Sequence, residues 1–177
     1  MGRLLTAALA LALAAPVGAQ TAPNPDVEAA IANGHAEWSL RVSPKLVRAL
    51  GSTSTGVRAQ TLHAIGTLDA AAPGGADLRP AIPALFDVLR SDSDWRHRVM
   101  ALSLLYAADD EAVMETLRAE TARPAPAVVQ RLLLNCLAEH YGVAALRRDA
   151  RAVALAQALI DHDRRRGDRG DIVTAAR

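Results

Sequence analysis

The sequence predicts an all-α protein, on the grounds of its composition and its apolar pattern. Alanine and leucine occupy 39 and 24 of the 177 positions, whereas aromatic residues make up 3%. Alanine and leucine favour helices, and the β-branched and aromatic residues that favour strands are too few to build a sheet. Apolar residues recur at helical spacing in segments separated by prolines, glycines and acidic turns. The length fits one small globular domain.

The first 19 residues have the three-part pattern of a secretory signal peptide. Arg3 gives the basic start, an apolar run extends from Leu4 to Ala15, and small residues precede Gln20. We expect cleavage after Ala19 and a location in the periplasm or outside the cell. The apolar run is shorter than the roughly 20 residues that a membrane-spanning helix needs, so no membrane span is expected.

Charge and cysteine content restrict the partners and the source of stability. Removing residues 1–19 removes Arg3 from the 20 basic residues and leaves 19 basic and 19 acidic side chains. A net charge of zero argues against nucleic acid as a partner. Cys136 is the only cysteine, so the chain forms no internal disulfide and its stability must come from packing.

The predicted helices begin after prolines or capping side chains and end at glycines, prolines or polar turns. They cover residues 26–32, 44–50, 56–68, about 80–89, 95–108, 110–118, 127–140 and, as one or two helices, 143–166. The signals that precede them are, in the same order, Asn24 with Pro25, Ser43, the Ser/Thr turn, the glycine-containing loop 70–77, the acidic turn 91–94, Asp109 or Asp110, Pro126 and Gly142. Residues 20–25 are expected to form a flexible leader, residues 26–166 a helical-repeat domain and residues 167–177 a disordered tail.

Three of these helices align with one another without gaps, at spacings of 40 and 32 residues. Val57, Arg58, Thr61 and Ile65 align with His97, Arg98, Ala101 and Leu105, and with Val129, Gln130, Leu133 and Leu137. At 100° per residue, the apolar positions form one stripe that must be buried. A single hairpin cannot bury such a stripe alone, so the pattern predicts stacked hairpins.

With these motifs, the sequence resembles HEAT-like repeat proteins, which are α-solenoids of stacked helical hairpins. The resemblance covers about residues 44–141 and rests on Ala81-Ile82-Pro83-Ala84-Leu85, Val88-Leu89-Arg90, the acidic turn Ser91-Asp92-Ser93-Asp94, Trp95-Arg96-His97-Arg98 and Gly56-Val57-Arg58. It implies a short right-handed solenoid. It also implies a ladder between the acidic turn and the arginines that open the second helices, which falls on Asp92 or Asp94, Arg58 and Arg98. Gln130 departs from this pattern.

The resemblance also implies that the second helices line a concave surface. Eight residues project away from the buried stripe there and are the predicted binding residues, which we call the polar face: Gln60, His63, Thr67, Arg96, Ser103, Arg131, Asn135 and Glu139. An ordinary solvated helix face is the alternative interpretation of these residues, because every amphipathic helix has one.

Other clusters indicate chemistry only weakly. Cys136 and His140 share a helix face but lack a third ligand, and the consecutive residues 161–163, Asp-His-Asp, point in different directions. No glycine-flanked nucleophile is present. Two Arg-Gly-Asp tripeptides, at 166–168 and 169–171, are read as part of a polar tail rather than as adhesion motifs.

The sequence therefore predicts an exported, non-enzymatic protein that binds another protein or a peptide and requires no cofactor or metal. The alternative is a small exported enzyme, or a metal- or cofactor-handling accessory protein, that uses His63, His97, His140 or Cys136. Stoichiometric metal in the purified chain would favour that alternative. Self-association is a third possibility, because a short stack of hairpins has two apolar ends.

Overall fold

The computed structural model describes the backbone of residues 42–71 and 76–175, and side chains as far as Arg165. Within these ranges every regular element is helical and no β-strand occurs, so the predicted all-α class is confirmed. No helix of the described part combines the length and the apolar character that crossing a membrane requires. The predicted signal peptide at 1–19, the leader at 20–25 and the helix over 26–32 lie outside the described residues.

The described elements comprise eight α-helices and one short 3₁₀ turn. They are α1 (Pro44–Leu50), α2 (Thr55–Ala71), the 3₁₀ turn Arg79–Ala81, α3 (Ile82–Ser91), α4 (Trp95–Ala107), α5 (Glu111–Glu120), α6 (Ala127–Tyr141), α7 (Val143–Leu146) and α8 (Ala150–Ala175). The described residues divide into two compact units, the first ending at Met114 and the second beginning at Glu115.

The helix starts follow the capping residues that the sequence contains. Ser43 Oγ accepts the amide of Leu46 at 3.4 Å, and Pro44 occupies the first turn of α1. The carboxylate of Asp94 accepts the amide of Arg96 at 2.9 Å and caps α4. Asp110 caps α5 in the same way. These contacts satisfy backbone donors that a helix leaves unpaired at its start.

In the first unit, two helical hairpins pack against each other in matched order. Helices α1 and α2 form one hairpin, and α3 and α4 form the next. The first helices, α1 and α3, contact each other, and so do the second helices, α2 and α4. The fully buried side chains in this packing include Leu46, Leu50, Leu62, Ile65, Leu85, Leu102 and Leu105. The apolar stripe of each hairpin is thus buried by its neighbour.

In the second unit, α6 contacts both α7 and α8. Helix α6 ends at Gly142, whose φ of 82° lies in the left-handed region that favours glycine. The buried apolar side chains of this unit include Leu117, Val129, Leu133, Cys136, Leu137, Ala152, Leu155 and Leu159.

Two predicted boundaries are wrong. Helix α2 continues to Ala71, into the predicted loop 70–77, and Asp69 accepts the amide of Ala76 at 2.9 Å beyond the helix end. The backbone of α8 is helical to Ala175, past the predicted helix end at Arg166. The apolar pattern that set this boundary fades after Ile160. Helical backbone hydrogen bonds form within the segment itself, however, and do not require an apolar face.

Candidate functional site

The three aligned helices bury equivalent positions. Thr61, Ala101 and Leu133 are all buried, and Ile65, Leu105 and Leu137 are each 0% exposed. The next column, Ala64, Leu104 and Cys136, is buried as well. The helical phase deduced from the sequence is therefore confirmed for α2, α4 and α6.

The polar face lies away from this buried stripe. Six of its residues are exposed and two, Gln60 and Ser103, are half-buried. The exposed six are His63, Thr67, Arg96, Arg131, Asn135 and Glu139. The members on α2 and α4 belong to the first unit, and those on α6 belong to the second.

Several polar-face side chains already have partners within the chain. The hydroxyls of Thr67 and Ser103 donate to backbone carbonyls four residues earlier in their own helices. The guanidinium of Arg96 lies 5.2 Å from the ring centroid of Trp95, and Arg131 pairs with Asp163. These contacts reduce the number of polar-face groups that can turn toward a ligand.

A buried carboxylate joins the two hairpins of the first unit, and its burial was not predicted from the sequence. The side chain of Asp92, at the end of α3, is 1% exposed. Its Oδ2 accepts from Nε of Arg58 on α2 at 2.7 Å and from Nδ1 of His97 on α4 at 3.1 Å. Its Oδ1 accepts from the amide of Asp94 at 2.9 Å. The predicted pairing of Arg58 with the acidic turn is present, and Asp92, not Asp94, is the partner.

This arrangement keeps the carboxylate ionised. Burial alone would raise the pKa of Asp92, but the hydrogen bonds from Arg58, the Asp94 amide and His97 outweigh it and lower the pKa to about 2. Nη1 of Arg58 also donates to the carbonyl of Ser52 at 2.7 Å, so the guanidinium makes hydrogen bonds to both hairpins. Arg98 lies differently: its Nε donates to the carbonyl of Leu89 at 2.7 Å. Arg58 thus stabilises the packing of the two hairpins, and Arg98 stabilises the packing of α4 against α3.

The second unit contains an ion pair that the sequence alone did not reveal. Nε of Arg118, on α5, donates to the carboxylate of Asp149, which precedes α8. This hydrogen bond lowers the pKa of Asp149. The same carboxylate accepts the amide of Arg151 at 2.9 Å and caps α8. Asp149 was not singled out in the sequence, and its partner Arg118 lies 31 residues earlier in the chain.

The weakly indicated chemical clusters do not assemble. No group of three or more His, Cys, Asp or Glu residues with a metal-binding arrangement occurs among the described residues. Cys136 is buried, and burial raises the pKa of its thiol to about 12, so the thiol stays protonated at neutral pH. The ring of His140 packs edge-on against Tyr141 at 4.6 Å between centroids.

A pocket of about 310 Å³ lies beside Asp92 in the first unit. It is bounded by the end of α1, the turn that follows it, the outer face of α3 and the acidic turn. Residues on its wall include Leu50, Ser52, Arg58, Asp87, Val88 and Ser93. Periodicity did not single out this pocket, because its residues come from two hairpins and from turns.

Comparison of the chain with protein-family models, with curated proteins and with solved structures finds no match.

Proposed function

We propose that the chain is an exported, non-enzymatic helical-repeat protein of the HEAT-like α-solenoid class, which binds another protein or a peptide through the concave face of its second helices. The matched packing of two hairpins in the first unit is the observation that carries this proposal. First helix contacts first helix and second helix contacts second helix, which is how hairpins stack in a solenoid.

One further contact and one burial pattern support the class. The arginine that opens α2 reaches the acidic turn of the next hairpin, as the HEAT-like resemblance implies for Arg58 and Asp92. Equivalent positions on α2, α4 and α6 are also each buried. Side chains that hold the packing and side chains that point away from it therefore occupy separate faces of these helices.

His63 and Asn135 are the polar-face positions best suited to a test. Both are exposed, and neither side chain has a hydrogen-bond or ion-pair partner among the described residues. We expect His63→Glu and Asn135→Arg to change the free energy of unfolding by less than about 0.5 kcal/mol each, because exposed substitutions rarely cost more. Each should nevertheless weaken binding of the partner that co-purifies with the unaltered chain from its host, measured by titration calorimetry.

The outcome separates the polar face from an ordinary solvated surface. Lys45→Glu, on the exposed side of α1, is the control and should leave both stability and partner binding unchanged. Unfolding of the His63 or Asn135 variant would contradict the helical phase. Folded variants that bind the partner with unaltered affinity would contradict the polar face as its binding surface.

Export is tested by the N-terminus of the protein recovered from the host. We expect intact mass and N-terminal sequencing to give Gln20 as the first residue, because the small residues before it fit signal-peptide cleavage. A chain recovered from the cytosol with Met1 retained would refute export.

A further inference from the structure

We propose that the pocket beside Asp92 is a second binding site, distinct from the polar face, which takes a short extended peptide segment carrying a basic side chain. Its volume of about 310 Å³ is at the lower end of ligand pockets. That size suits one side chain with its adjoining backbone rather than a large ligand.

Arg58, which lines the pocket, has a guanidinium in a fixed position with one hydrogen-bond donor, Nη2, left without a partner among the described residues. Nε and Nη1 of Arg58 bond Asp92 and the carbonyl of Ser52, which fixes the plane of the guanidinium. Nη2 has no partner among the described residues. Every solvent-inaccessible side-chain nitrogen or oxygen in the described part of the chain has a partner, so the unpartnered Nη2 is accessible to solvent, and Arg58 lines the pocket. Nη2 can therefore donate to a ligand oxygen at little cost in side-chain entropy.

The charge of the pocket favours a cation. The positive charge of Arg58 is balanced by the buried carboxylate of Asp92. Asp87, exposed on the outer face of α3, lines the same pocket, and its carboxylate has no partner among the described residues. Asp87 is thus the uncompensated charge of the lining. A free anion would meet this carboxylate, and a single available carboxylate is too few ligands for a bound metal ion.

The rest of the lining matches the shape of a basic side chain. Leu50 and Val88 are buried and supply an apolar wall for the methylene stem of a lysine or arginine. Ser93, exposed at the acidic turn, has a hydroxyl that can accept from the charged head. The proposed segment pairs its charged head with Asp87 and offers a backbone carbonyl to Nη2 of Arg58. A peptide with a basic side chain therefore offers a partner to both of these polar groups.

Nitrogen-15 NMR titration of the purified full chain tests this site with defined probes. N-acetyl-lysine N-methylamide carries the cation and the carbonyls, N-acetyl-norleucine N-methylamide lacks the cation, and n-butylammonium lacks the carbonyls. We expect saturable shifts of the Gly51, Ser52 and Ser93 amides with the lysine probe. Binding of each incomplete probe should be about fivefold weaker, because the norleucine probe loses one solvent-accessible ion pair and butylammonium loses one hydrogen bond from a charged donor.

Asp87→Asn should weaken binding of the lysine probe by the same factor and leave that of the norleucine probe unchanged. Asp109→Asn is the matched control: Asp109 is also exposed, lies outside the pocket lining, and has a positive φ that asparagine tolerates. Equal binding of lysine and norleucine probes, absence of saturation, or an Asp87→Asn variant that binds like the unaltered chain would each overturn the proposal. The comparison of probes on the unaltered chain tests the proposed site even if a variant fails to fold. Butylammonium binding as tightly as the lysine probe would show an amine site and contradict a peptide site.

Discussion

Replacing Asp92 by alanine is expected to lower the free energy of unfolding by about 3 to 5 kcal/mol, measured by urea denaturation at pH 7. The substitution removes the acceptor that Arg58 and His97 share, and it leaves both groups in a largely buried position. The cost of an uncompensated buried charge exceeds that of a lost surface ion pair, which is about 1 kcal/mol or less.

Asp87→Ala is the matched control for this substitution. Asp87 lies five residues earlier on α3, is exposed, and makes no side-chain ion pair among the described residues. We expect its effect to stay within about 0.5 kcal/mol. A cost of less than about 1 kcal/mol for Asp92→Ala would mean that the carboxylate is not a structural link between the hairpins.

Low pH provides a second test of Asp92, in which the stability of the unaltered chain is compared with that of Asp92→Asn. The pKa of Asp92 falls from its ordinary 3.8 to about 2 on folding, so the carboxylate stabilises the folded state fully above about pH 5. That stabilisation is lost as the pH falls through the folded pKa. We expect the stability difference between the unaltered chain and Asp92→Asn to shrink by about 2 kcal/mol between pH 5 and pH 2.

Leu105→Ala is expected to lower the free energy of unfolding by about 2 to 5 kcal/mol, measured by thermal and urea denaturation. Leu105 is 0% exposed in the core of the first unit, so truncation removes buried methyl groups and leaves a cavity. The loss is a large share of the stability of a domain of this size.

Ile160→Ala serves as the control for this truncation, because Ile160 is 47% exposed on α8. It should cost less than about 1 kcal/mol. Equal effects of the two substitutions would show that the predicted buried stripe does not carry the packing energy.

The helices could be predicted because their signals are local. Ser43 with Pro44, Asp94, Asp110 and Gly142 fix helix ends through contacts within a few residues, and these positions were visible in the sequence. The buried stripe followed from the helical period alone. The end of α8 was missed because the prediction used the apolar pattern as its marker, and helical backbone continues without one.

The groups that matter most for the candidate sites depend on tertiary contacts, which local patterns do not contain. Arg58 and Asp92 are 34 residues apart, and only the family resemblance indicated that they pair. His97 as a second donor to Asp92, and Asp149 as the partner of Arg118, had no sequence signal that the helical period could supply. The pocket likewise combines turns of two hairpins, so Asp87 was not predicted as a site residue.

The link between the two hairpins is tested most directly by a double-mutant cycle of Arg58→Met and Asp92→Asn. Urea denaturation of the unaltered chain, both single variants and the double variant gives the coupling free energy of the pair. Direct contact at 2.7 Å in a site where Asp92 is 1% exposed predicts a coupling of about 2 kcal/mol or more. Additive effects within about 0.5 kcal/mol would contradict the joining of the hairpins through Arg58 and Asp92.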